Sequence, residues 1–491
     1  MLSTIICFAL VATLASIYRC YFDKLSQIPG PRLVALHPLW TITRLCKGRL
    51  LQDTKELHKK HGPIVRTGPS ELSFATISAF NSIYGPLSDR NTTKAGSVQG
   101  LAVSLVTEID QSMVVEVNKK LHKDARTDVH PIFTEMVRGT LENVHSDVFK
   151  KHMINSIVLD DKKTPFNFTE FVQDFAWELA AGVVIGHQLP PNAKAQYDRF
   201  RTFFPMSSIV IESGSYLMGR TSFHAFSRVI ARTIKVLGLD LMPFLRVNAF
   251  VGPSKGDTLD PEHPVSSFKG NLTSGKLAEV KQKPTQIDEN LVLFMGATYD
   301  TSSSTVISLF YYLMCHRQAF MAVREELKGA FQTLSEISDQ KLIPLVYLNA
   351  CINETFRMSP PVNGKIMQRV SLGMTIDGIY VPKGVAVSAD TLSMHRSSVY
   401  WDQPESFRPE RWVNKAPTDE FRAFRPFGSG NRICPGRMMA LQSARLTLAK
   451  IVWLYDLEMV SDPKEWQQSA RSGYLWEYPD LYVNVSSSGL K

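Results

Sequence analysis

Cysteine is scarce in this sequence, and its spacing forms no pattern that binds a metal or builds a disulfide framework. The 491 residues contain six cysteines, none of them in a Cys-x-x-Cys pair: Cys7, Cys20, Cys46, Cys315, Cys351 and Cys434. So few and such widely spaced cysteines exclude a small disulfide-stabilised domain and a zinc finger. We therefore expect the folded part of the chain in a reducing compartment.

Linkers, internal repeats and low-complexity segments are also absent from the sequence. With 44% hydrophobic and 21% charged residues, the composition excludes a disordered or fibrous chain and supports a large buried core. The segment from Val251 to Lys276 is rich in Pro, Gly and Ser, which predicts a long surface loop. We interpret this loop as an insertion within one globular domain and not as a domain boundary.

Acidic residues are fewer than basic residues, and the formal net charge is +9. Such a charge suits an acidic protein partner, an anionic membrane surface or a nucleic acid. The basic residues occur as scattered pairs, such as Lys59 with Lys60, without an arginine-rich arm or interleaved aromatic residues. This pattern disfavours nucleic acid, and no nucleic-acid partner is predicted.

The N-terminus begins with a long segment that carries no charge. Leu2 to Tyr18 comprises 17 residues, which as a helix would extend about 25 Å, close to the thickness of a thin hydrocarbon core. The sequence therefore predicts a membrane anchor at residues 1–18 and a hinge, stiffened by proline, at residues 19–35. Residues 36–491 are predicted to form a single domain.

A cleaved signal peptide is the alternative interpretation of the N-terminal segment, with Thr13 to Ala15 as a tolerable cleavage site. No basic residue precedes the apolar run, whereas Arg19, Lys24 and Arg32 follow it. Basic residues flank membrane helices on their cytoplasmic side. An uncleaved single-pass anchor with the body of the chain in the cytoplasm is therefore favoured.

The apolar pattern of the remaining chain predicts mostly helices. One long candidate without proline runs from Asp288 to Cys315. Three further candidates follow the same periodicity: Ala319–Phe331, Leu345–Met358 and Arg437–Tyr455. Alternating patches near Pro63 and from Val370 to Asp390 predict short hairpins. The expected fold class is mainly α with small β-sheets.

The segment FGSGNRICPG, from Phe427 to Gly436, places one cysteine among small turn-forming residues directly before a predicted helix. The unpaired N–H groups and positive dipole end of that helix would favour the thiolate form of Cys434. A rigidly held thiolate serves as a nucleophile or as a metal ligand, and no histidine nearby in sequence supplies the base that a nucleophile needs. The alternative is a buried cysteine in an ordinary turn.

This segment resembles the haem loop of the cytochrome P-450 family, Phe-x-x-Gly-x-Arg-x-Cys-x-Gly. The fixed positions are matched by Phe427, Gly430, Arg432, Cys434 and Gly436. The resemblance implies that Cys434 is the axial ligand of the iron in haem b. It also implies that Arg432, Phe427 and Gly436 bind the cofactor, with Arg432 on a propionate. The implied fold holds the haem between a long central helix and the cysteine loop.

Two further segments extend the resemblance over nearly the whole chain. Glu354 and Arg357 in NETFRMSP match the family's Glu-x-x-Arg helix. Arg411 in PERW matches the arginine that completes a buried ion triad with them. A lone Glu-x-x-Arg is usually a surface pair at positions i and i+3, but its distance from the haem loop here is that of the family.

The same resemblance assigns basic residues outside the loop. His122 and Arg126 in LHKDARTDVHPIF are similar to the helix whose basic face meets the haem. Arg369 in KIMQRV is similar to the arginine that a strand places on a propionate. All three are implied to bind the cofactor. The alternative is that they are solvated basic side chains, which is their usual state.

The run ATYDT, from Ala297 to Thr301, is polar where the flanks of the long helix candidate are apolar. It is similar to the family's Ala/Gly-Gly-x-Asp/Glu-Thr pattern, which implies that Asp300 and Thr301 are the catalytic acid and alcohol that relay protons. Thr298 stands where glycine is usual. The alternative is that the hydroxyl groups bond to carbonyl groups of their own helix.

The resemblance implies a haem-dependent monooxygenase that inserts one oxygen atom from dioxygen into a lipophilic small molecule. The segments expected to line its pocket are mainly apolar: Gly96–Val106, Phe203–Leu217, Val292–Thr301 and Pro361–Met367. HGPIVRTGPSELSFA and FRPERW are most similar to fungal tailoring enzymes, so we expect a hydroxylation or related oxidation in secondary metabolism. Two alternatives stay open: a haem-thiolate isomerase or dehydratase that needs no reductase, and a non-catalytic haem sensor.

Electrons must come from another protein, because the chain has no dinucleotide-binding fingerprint and no length for a fused flavin domain. The resemblance implies NADPH–cytochrome P-450 reductase as the partner, with cytochrome b5 as an additional donor. It also implies a single-pass protein of the endoplasmic reticulum membrane. Lys123, Arg422, Arg425 and Arg437 would suit an acidic docking partner, although solvation explains each of them singly.

Overall fold

The computed structural model is mainly helical and describes residues 18–94, 113, 116–157, 165–186, 193–195, 197–198, 284–362, 364–414 and 418–490. The loop predicted at 251–276 lies outside these residues, as do the expected pocket segments at 96–106 and 203–217. Of the predicted anchor, only Tyr18 is described. Within the described ranges, no helix combines the length and the apolar character that crossing a bilayer requires.

Helices dominate the described part of the chain, as predicted. They are α1 (Leu39–Cys46), α2 (Leu50–His61), α3 (Ile77–Tyr84), α4 (Lys119–Glu135), α5 (Leu141–Ile157), α6 (Phe168–Ala180), α7 (Pro284–Cys315), α8 (Arg317–Ala330), α9 (Asp339–Leu342), α10 (Val346–Met358), α11 (Thr391–His395), α12 (Glu410–Asn414), α13 (Arg437–Leu454) and α14 (Pro463–Ser469). The four helices predicted from periodicity are confirmed as α7, α8, α10 and α13. Helix α7 begins at Pro284, four residues before its predicted start. Proline is tolerated at the first helical position, because a backbone N–H there would have no partner within the helix.

The strands are short and form small sheets. They are β1 (Ile64–Gly68), β2 (Glu71–Phe74), β3 (Thr92–Lys94), β4 (Phe166–Asn167), β5 (Arg369–Ser371), β6 (Met374–Ile376), β7 (Ile379–Val381), β8 (Ala386–Ala389), β9 (Tyr455–Met459), β10 (Arg471–Ser472), β11 (Trp476–Glu477) and β12 (Tyr482–Ser487). The largest sheet has the order β1-β2-β8-β5-β3, in which β2 and β8 run parallel and the other neighbours run antiparallel. The predicted hairpin near Pro63 is confirmed by β1–β2. Of the pair of hairpins predicted from Val370 to Asp390, β6–β7 is one, and β5 pairs antiparallel with β8 on either side of it.

Helix α7 runs through the centre of the molecule. Every residue from Val306 to Leu313 is buried, and such a helix, apolar on all faces, is stable only when neighbours cover all of them. It packs against α6, α10 and α13, with the rings of Phe310 and Phe168 5.1 Å apart. This packing fixes α7 relative to the helix that follows the cysteine loop.

Candidate active site

The segment from Phe427 to Gly436 forms a tight loop that ends where α13 begins. The Cys434 N–H donates a hydrogen bond to the Phe427 carbonyl oxygen, with an N···O distance of 3.0 Å. Gly430 has a φ of +66°, and a Cβ atom at this position would lie 2.4 Å from the Tyr84 carbonyl oxygen. Glycine therefore suits this position both in backbone conformation and in space. The loop holds Cys434 directly before the N-terminus of α13.

The Cys434 thiol is accessible from a cavity, yet protein surrounds it closely. Burial raises the pKa of this thiol, while the Gly436 N–H and the charge of Arg126 lower it without outweighing burial. Burial therefore opposes the thiolate that the sequence predicts for Cys434, because lost hydration disfavours the charged sulfur more than the nearby N–H group and Arg126 favour it. A metal cation bound to the sulfur would displace the proton outright.

A cavity of about 300 Å³ brings the cysteine loop and helix α7 to one space. Its apolar lining residues are Met113, Phe133, Phe294, Ala297, Val306, Phe356, Pro361, Val362, Ile366, Met367, Pro426, Phe427, Ile433, Pro435, Met439, Ala440 and Ala444. Two of the expected pocket segments, at 292–301 and 361–367, therefore contribute to the wall. Gly436 and Cys434 lie on the same wall.

Two arginines add positive charge to this lining, and a histidine also contributes to it. Arg126, on α4, donates from Nη1 to the Ile433 carbonyl oxygen at 2.8 Å. Arg432 donates from Nη1 to the Glu116 carbonyl oxygen at 2.9 Å. His122 lines the cavity from α4 and is buried. A carbonyl oxygen is a neutral acceptor. These hydrogen bonds therefore orient the guanidinium groups and leave their positive charge intact.

Arg369, at the start of β5, is the third arginine of the lining. Its Nη1 donates to the Met367 carbonyl oxygen at 2.8 Å, and its guanidinium carbon lies 5.2 Å from the centre of the Tyr84 ring. The Tyr84 hydroxyl donates to the Gly364 carbonyl oxygen at 3.3 Å and accepts from the Ala389 N–H at 3.1 Å. The position of Arg369 is thus fixed by a tyrosine that is itself bonded at two points.

The polar run of α7 reaches the cavity at Thr298 and Thr301. The Thr301 hydroxyl donates to the Ala297 carbonyl oxygen at 2.7 Å, which is the local bond expected of a helical threonine. The hydroxyl oxygen retains acceptor lone pairs for a molecule in the cavity. Helix α7 continues as α-helix through Thr298, without a π-helical turn at this position.

Asp300 does not line the cavity, in contrast to Thr301 beside it. Its Oδ2 accepts a hydrogen bond from the Tyr197 hydroxyl at 2.6 Å. Successive residues of an α-helix point about 100° apart, so the two neighbours face different surroundings. The structure brings only one of the two predicted relay residues to the cavity. Tyr197 was missed from sequence because it lies 103 residues before its partner, with no local signal.

Glu354, Arg357 and Arg411 form one buried cluster. Arg357 donates from Nη2 and Nε to the two Glu354 oxygens at 2.7 and 2.8 Å, and Arg411 Nε donates to Glu354 Oε1 at 3.1 Å. Burial alone would raise the pKa of Glu354, but the hydrogen bonds and charges of the two arginines outweigh it and lower the pKa. Asp419, which sequence reasoning missed, accepts from Arg411 Nη1 at 2.8 Å. The four charges therefore balance.

A buried histidine connects this cluster to the segment leading into the cysteine loop. The His395 carbonyl oxygen accepts a hydrogen bond from Arg357 Nη1 at 2.8 Å. The His395 ring nitrogen Nε2 accepts a hydrogen bond from the Arg425 backbone N–H at 2.9 Å. Burial, reinforced by the charge of Arg357, lowers the pKa of His395 to about 3. The imidazole consequently stays neutral near neutral pH and keeps Nε2 as an acceptor. No motif in the sequence indicated this connection.

Comparison with known families accounts for this combination of loop, cavity and ion cluster. A family model described as Cytochrome P450 matches residues 28–485, which is nearly the whole chain. The chain belongs to the cytochrome P450 family. The expected fold and the expected class of enzyme, a haem-dependent monooxygenase, are confirmed by this membership.

Curated relatives of this cytochrome P-450 are fungal proteins. Cytochrome P450 monooxygenase bfoB from Aspergillus brasiliensis is 34% identical over 479 residues, covering 96% of this chain and 95% of that protein. Cytochrome P450 monooxygenase aunB from Aspergillus niger is 34% identical over 474 residues, covering 96% and 97%. Sesterfisheric acid synthase from Neosartorya fischeri is 30% identical over 515 aligned positions, covering 94% and 91%. The similarity extends over each protein almost from end to end.

The cavity of this cytochrome P-450 fits the haem that its family implies. A haem is flat and largely apolar, and its two propionates are anionic. The lining is correspondingly apolar, and Arg126, Arg369 and Arg432 supply three positive charges. The accessible Cys434 sulfur provides a soft donor atom of the kind that binds haem iron. The donor set and the charge of the lining therefore both match a haem with a thiolate ligand.

Proposed function

We propose that this cytochrome P-450 oxidises a lipophilic small molecule in a tailoring step of fungal secondary metabolism. One atom of dioxygen enters the substrate, and the other leaves as water with two electrons and two protons. The observation that carries the proposal is the cavity shared by Cys434 and Thr301, which combines a metal-binding sulfur with a helix hydroxyl. A protein that only carried haem would have no need of that hydroxyl.

The chemical character of the cavity supports a lipophilic substrate. Its wall is mainly apolar, and the hydroxyl groups of Thr298 and Ser302 are polar exceptions on α7. The fungal relatives include proteins named as monooxygenases and one named as an acid synthase, which supports a biosynthetic oxidation. The substrate itself is identified by comparing the metabolites of a producing strain with those of its deletion strain.

The proposed cofactor site consists of residues that all line the cavity. Cys434 would ligate the iron. Phe427 and Gly436 would shape the loop that holds it. The basic side chains would bind the propionates: Arg126, His122, Arg369 and Arg432. Haem iron ligated by a thiolate supplies the activation of dioxygen. The protein supplies a dry apolar wall, which keeps water from competing for the reactive position.

Proton delivery is assigned to helix α7. Thr301 donates to the Ala297 carbonyl oxygen, so its oxygen is oriented to accept a hydrogen bond from a water molecule in the cavity. Asp300, facing another side of the helix, is the proposed source of the protons. A carboxylate is suited to this task because it exchanges protons with water rapidly and lies one residue from the alcohol.

The electrons are proposed to come from NADPH through a separate cytochrome P-450 reductase, with cytochrome b5 as an additional donor. Lys123, Arg425 and Arg437 would contribute positive charge to a docking face for an acidic partner. Arg422 contributes less, because its guanidinium group pairs with the carboxylate of Glu420 at 2.6 Å. The buried Glu354, Arg357 and Arg411 are proposed to stabilise the fold and not to contact the partner.

Replacing Thr301 with alanine tests the monooxygenase assignment. We expect the haem spectrum and the spin shift on substrate binding to stay nearly unchanged, because alanine removes only a hydroxyl and a methyl group from the wall. Product formed per reduced nicotinamide should fall at least about tenfold, since a positioned proton transfer is typically worth roughly 10²–10⁴-fold and water partly replaces the hydroxyl. Hydrogen peroxide is assayed in parallel.

Thr301→Ser is the matched control, because it retains the hydroxyl and should retain most of the coupling. Full coupling in Thr301→Ala would reduce Thr301 to a helix residue bonded to Ala297, and Thr298 would be the next candidate. An isomerase or dehydratase would form product without consuming nicotinamide, and a sensor would form none. The wild-type assay therefore separates the proposal from both alternatives.

Residues 1–18 are proposed to anchor the protein in the endoplasmic reticulum membrane, with residues 19–35 as a hinge and residues 36–491 as one domain in the cytoplasm. Removing residues 1–18 should shift most of the protein to the soluble fraction, because the uncharged segment is lost. The carbon monoxide difference spectrum should stay intact, with the full-length chain fractionated in parallel. Loss of haem on truncation would instead make the segment part of the fold.

A further inference from the structure

A tyrosine outside the cavity fixes the carboxylate that is proposed to supply protons to Thr301. The Tyr197 hydroxyl oxygen lies 2.6 Å from Asp300 Oδ2, within the range of hydrogen bonds that a hydroxyl donates to a charged carboxylate. Thr301 lines the cavity one position further along α7. The bond therefore holds the Asp300 carboxylate away from the side of the helix on which Thr301 lies.

The surface of α7 has a recess that admits the Tyr197 ring. Gly296 lies one turn before Asp300, and a Cβ atom there would come within 2.8 Å of the Tyr197 hydroxyl oxygen and 3.1 Å of a ring carbon. These distances are shorter than van der Waals contact, so even an alanine at this position would displace the hydroxyl. The missing side chain of Gly296 is thus the reason that the phenol reaches Asp300.

Two other aromatic side chains hold the Tyr197 ring without using its hydroxyl. The ring centres of Trp177, on α6, and Tyr299, on α7, lie 5.5 and 5.6 Å from that of Tyr197. Trp177 and Tyr299 also contact each other edge to face at 5.2 Å. Such aromatic pairs stabilise one another beyond the area that they bury. A phenylalanine at position 197 would therefore keep its place and lose only the hydrogen bond.

The elements around Asp300 also carry charged side chains. Those described on the neighbouring elements include two ion pairs: Asp174 with Lys194, and Glu178 with Lys151. A closed pair presents little net charge at a distance. Asp198, next to Tyr197 in sequence, carries the same sign of charge as Asp300.

We propose that Tyr197 is a positioning residue for proton delivery, whose hydroxyl keeps the Asp300 carboxylate charged and outside the cavity. A hydrogen bond donated to a carboxylate favours the ionised form, and a phenol remains a donor up to about pH 10. Asp300 takes up a proton on the outer side of α7 and passes it toward Thr301 once the Tyr197 bond opens. The inference rests on the proposed role of Asp300 as the proton source.

Infrared difference spectroscopy of the holoenzyme tests this positioning without turnover. Photolysis of the carbon monoxide complex across a pH series reports the protonated carboxyl of Asp300, identified as the band that Asp300→Asn removes. Tyr197→Phe should raise the titration midpoint of this band by about one to two pH units, the size expected for losing one hydrogen bond to a charged group. Gly296→Ala should shift the midpoint in the same direction, because it displaces the hydroxyl from the helix side.

Tyr299→Phe is the matched control, because it removes a hydroxyl from the same aromatic cluster and leaves the Tyr197 bond in place. Its midpoint should equal that of the wild type. In turnover, Tyr197→Phe should lower product per reduced nicotinamide, and the double variant with Asp300→Asn should lose no more than Asp300→Asn alone. This non-additivity is expected of a residue that acts through another.

An unchanged midpoint in Tyr197→Phe, or an equal shift in Tyr299→Phe, would overturn the proposal and leave Tyr197 as a packing residue. Additive losses in the double variant would contradict it as well. One further outcome distinguishes a failure of the proposed function from a failure of the role of Tyr197. If Asp300→Asn keeps full coupling while the midpoint still shifts in Tyr197→Phe, the role of Asp300 as the proton source fails, but the control of its charge by Tyr197 stands.

Discussion

Cys434→Ala is expected to abolish the red-shifted Soret band of the reduced protein under carbon monoxide. That band requires a thiolate ligand, because the thiolate pushes electron density toward the iron and a neutral imidazole does not. The loss should be complete, since alanine has no donor atom and Cys434 is the only cysteine among the described residues that line the cavity. The measurement is the difference spectrum of equal amounts of wild-type and variant protein.

Cys46→Ala is the matched control for this experiment. Cys46 is also an exposed free thiol, but it ends helix α1 and does not line the cavity. It should keep the band at full intensity. Cys434→Ser should lose the band like the alanine variant, because its hydroxyl stays protonated at neutral pH. A normal band in Cys434→Ala would refute the assignment of the ligand.

Glu354→Gln is expected to destabilise the fold by about 3–5 kcal/mol, the size typical of breaking a buried ion pair. Glutamine has nearly the same shape, but its amide group places a donor among donors. Arg357, Arg411 and the Trp412 indole N–H all donate to the Glu354 carboxylate. Arg411 would keep its ion pair with Asp419, but Arg357 would lose the carboxylate with which it pairs. The midpoint of thermal unfolding and the haem content of the purified protein measure the effect.

Glu325→Gln offers a control with the same spacing on the protein surface. Glu325 pairs with Lys328 at positions i and i+3 at 2.8 Å, but both side chains are exposed. Solvent screening limits such a pair to less than about 1 kcal/mol. Equal destabilisation by the two variants would show that burial of the Glu354 cluster contributes nothing specific.

The charge of Glu354 also makes this stabilisation dependent on pH. Its pKa is lowered in the folded protein, whereas in the unfolded chain a glutamate titrates near about 4.3. The contribution is therefore fully present above the unfolded-state pKa and is lost as the pH falls through the folded-state value. The difference in stability between wild type and Glu354→Gln should shrink in acid.

The helices and the cysteine loop were predictable because their determinants are local. Helix α7 follows from an apolar run without proline, and the loop follows from glycines and a cysteine at fixed spacing. The thiol pKa was not predictable in the same way. The N-terminus of α13, which lowers the thiol pKa, follows from local sequence. The burial of Cys434, which raises the pKa by more, comes from the whole fold around it.

Contacts between distant parts of the chain account for the remaining differences. The sequence motif places Asp300 beside Thr301, but the direction of its carboxylate is set by Tyr197 and by the recess at Gly296. His395 likewise connects an ion cluster to a loop through a backbone carbonyl and an imidazole nitrogen. Neither the hydrophobic periodicity nor the motif spacing of the sequence predicts which distant residue a side chain contacts in the folded protein.

The bonds of Tyr84 constrain the order in which this protein can assemble. Its hydroxyl meets partners 280 and 305 residues later in the chain, and its carbonyl oxygen closes against Gly430. During synthesis, the contacts by which Tyr84 supports Arg369 can therefore form only after the chain has been made as far as Ala389. Such long-range closure is slow to form. The cavity is complete only once Cys434 has been synthesised, so a cell short of haem would accumulate full-length chains that lack the cofactor.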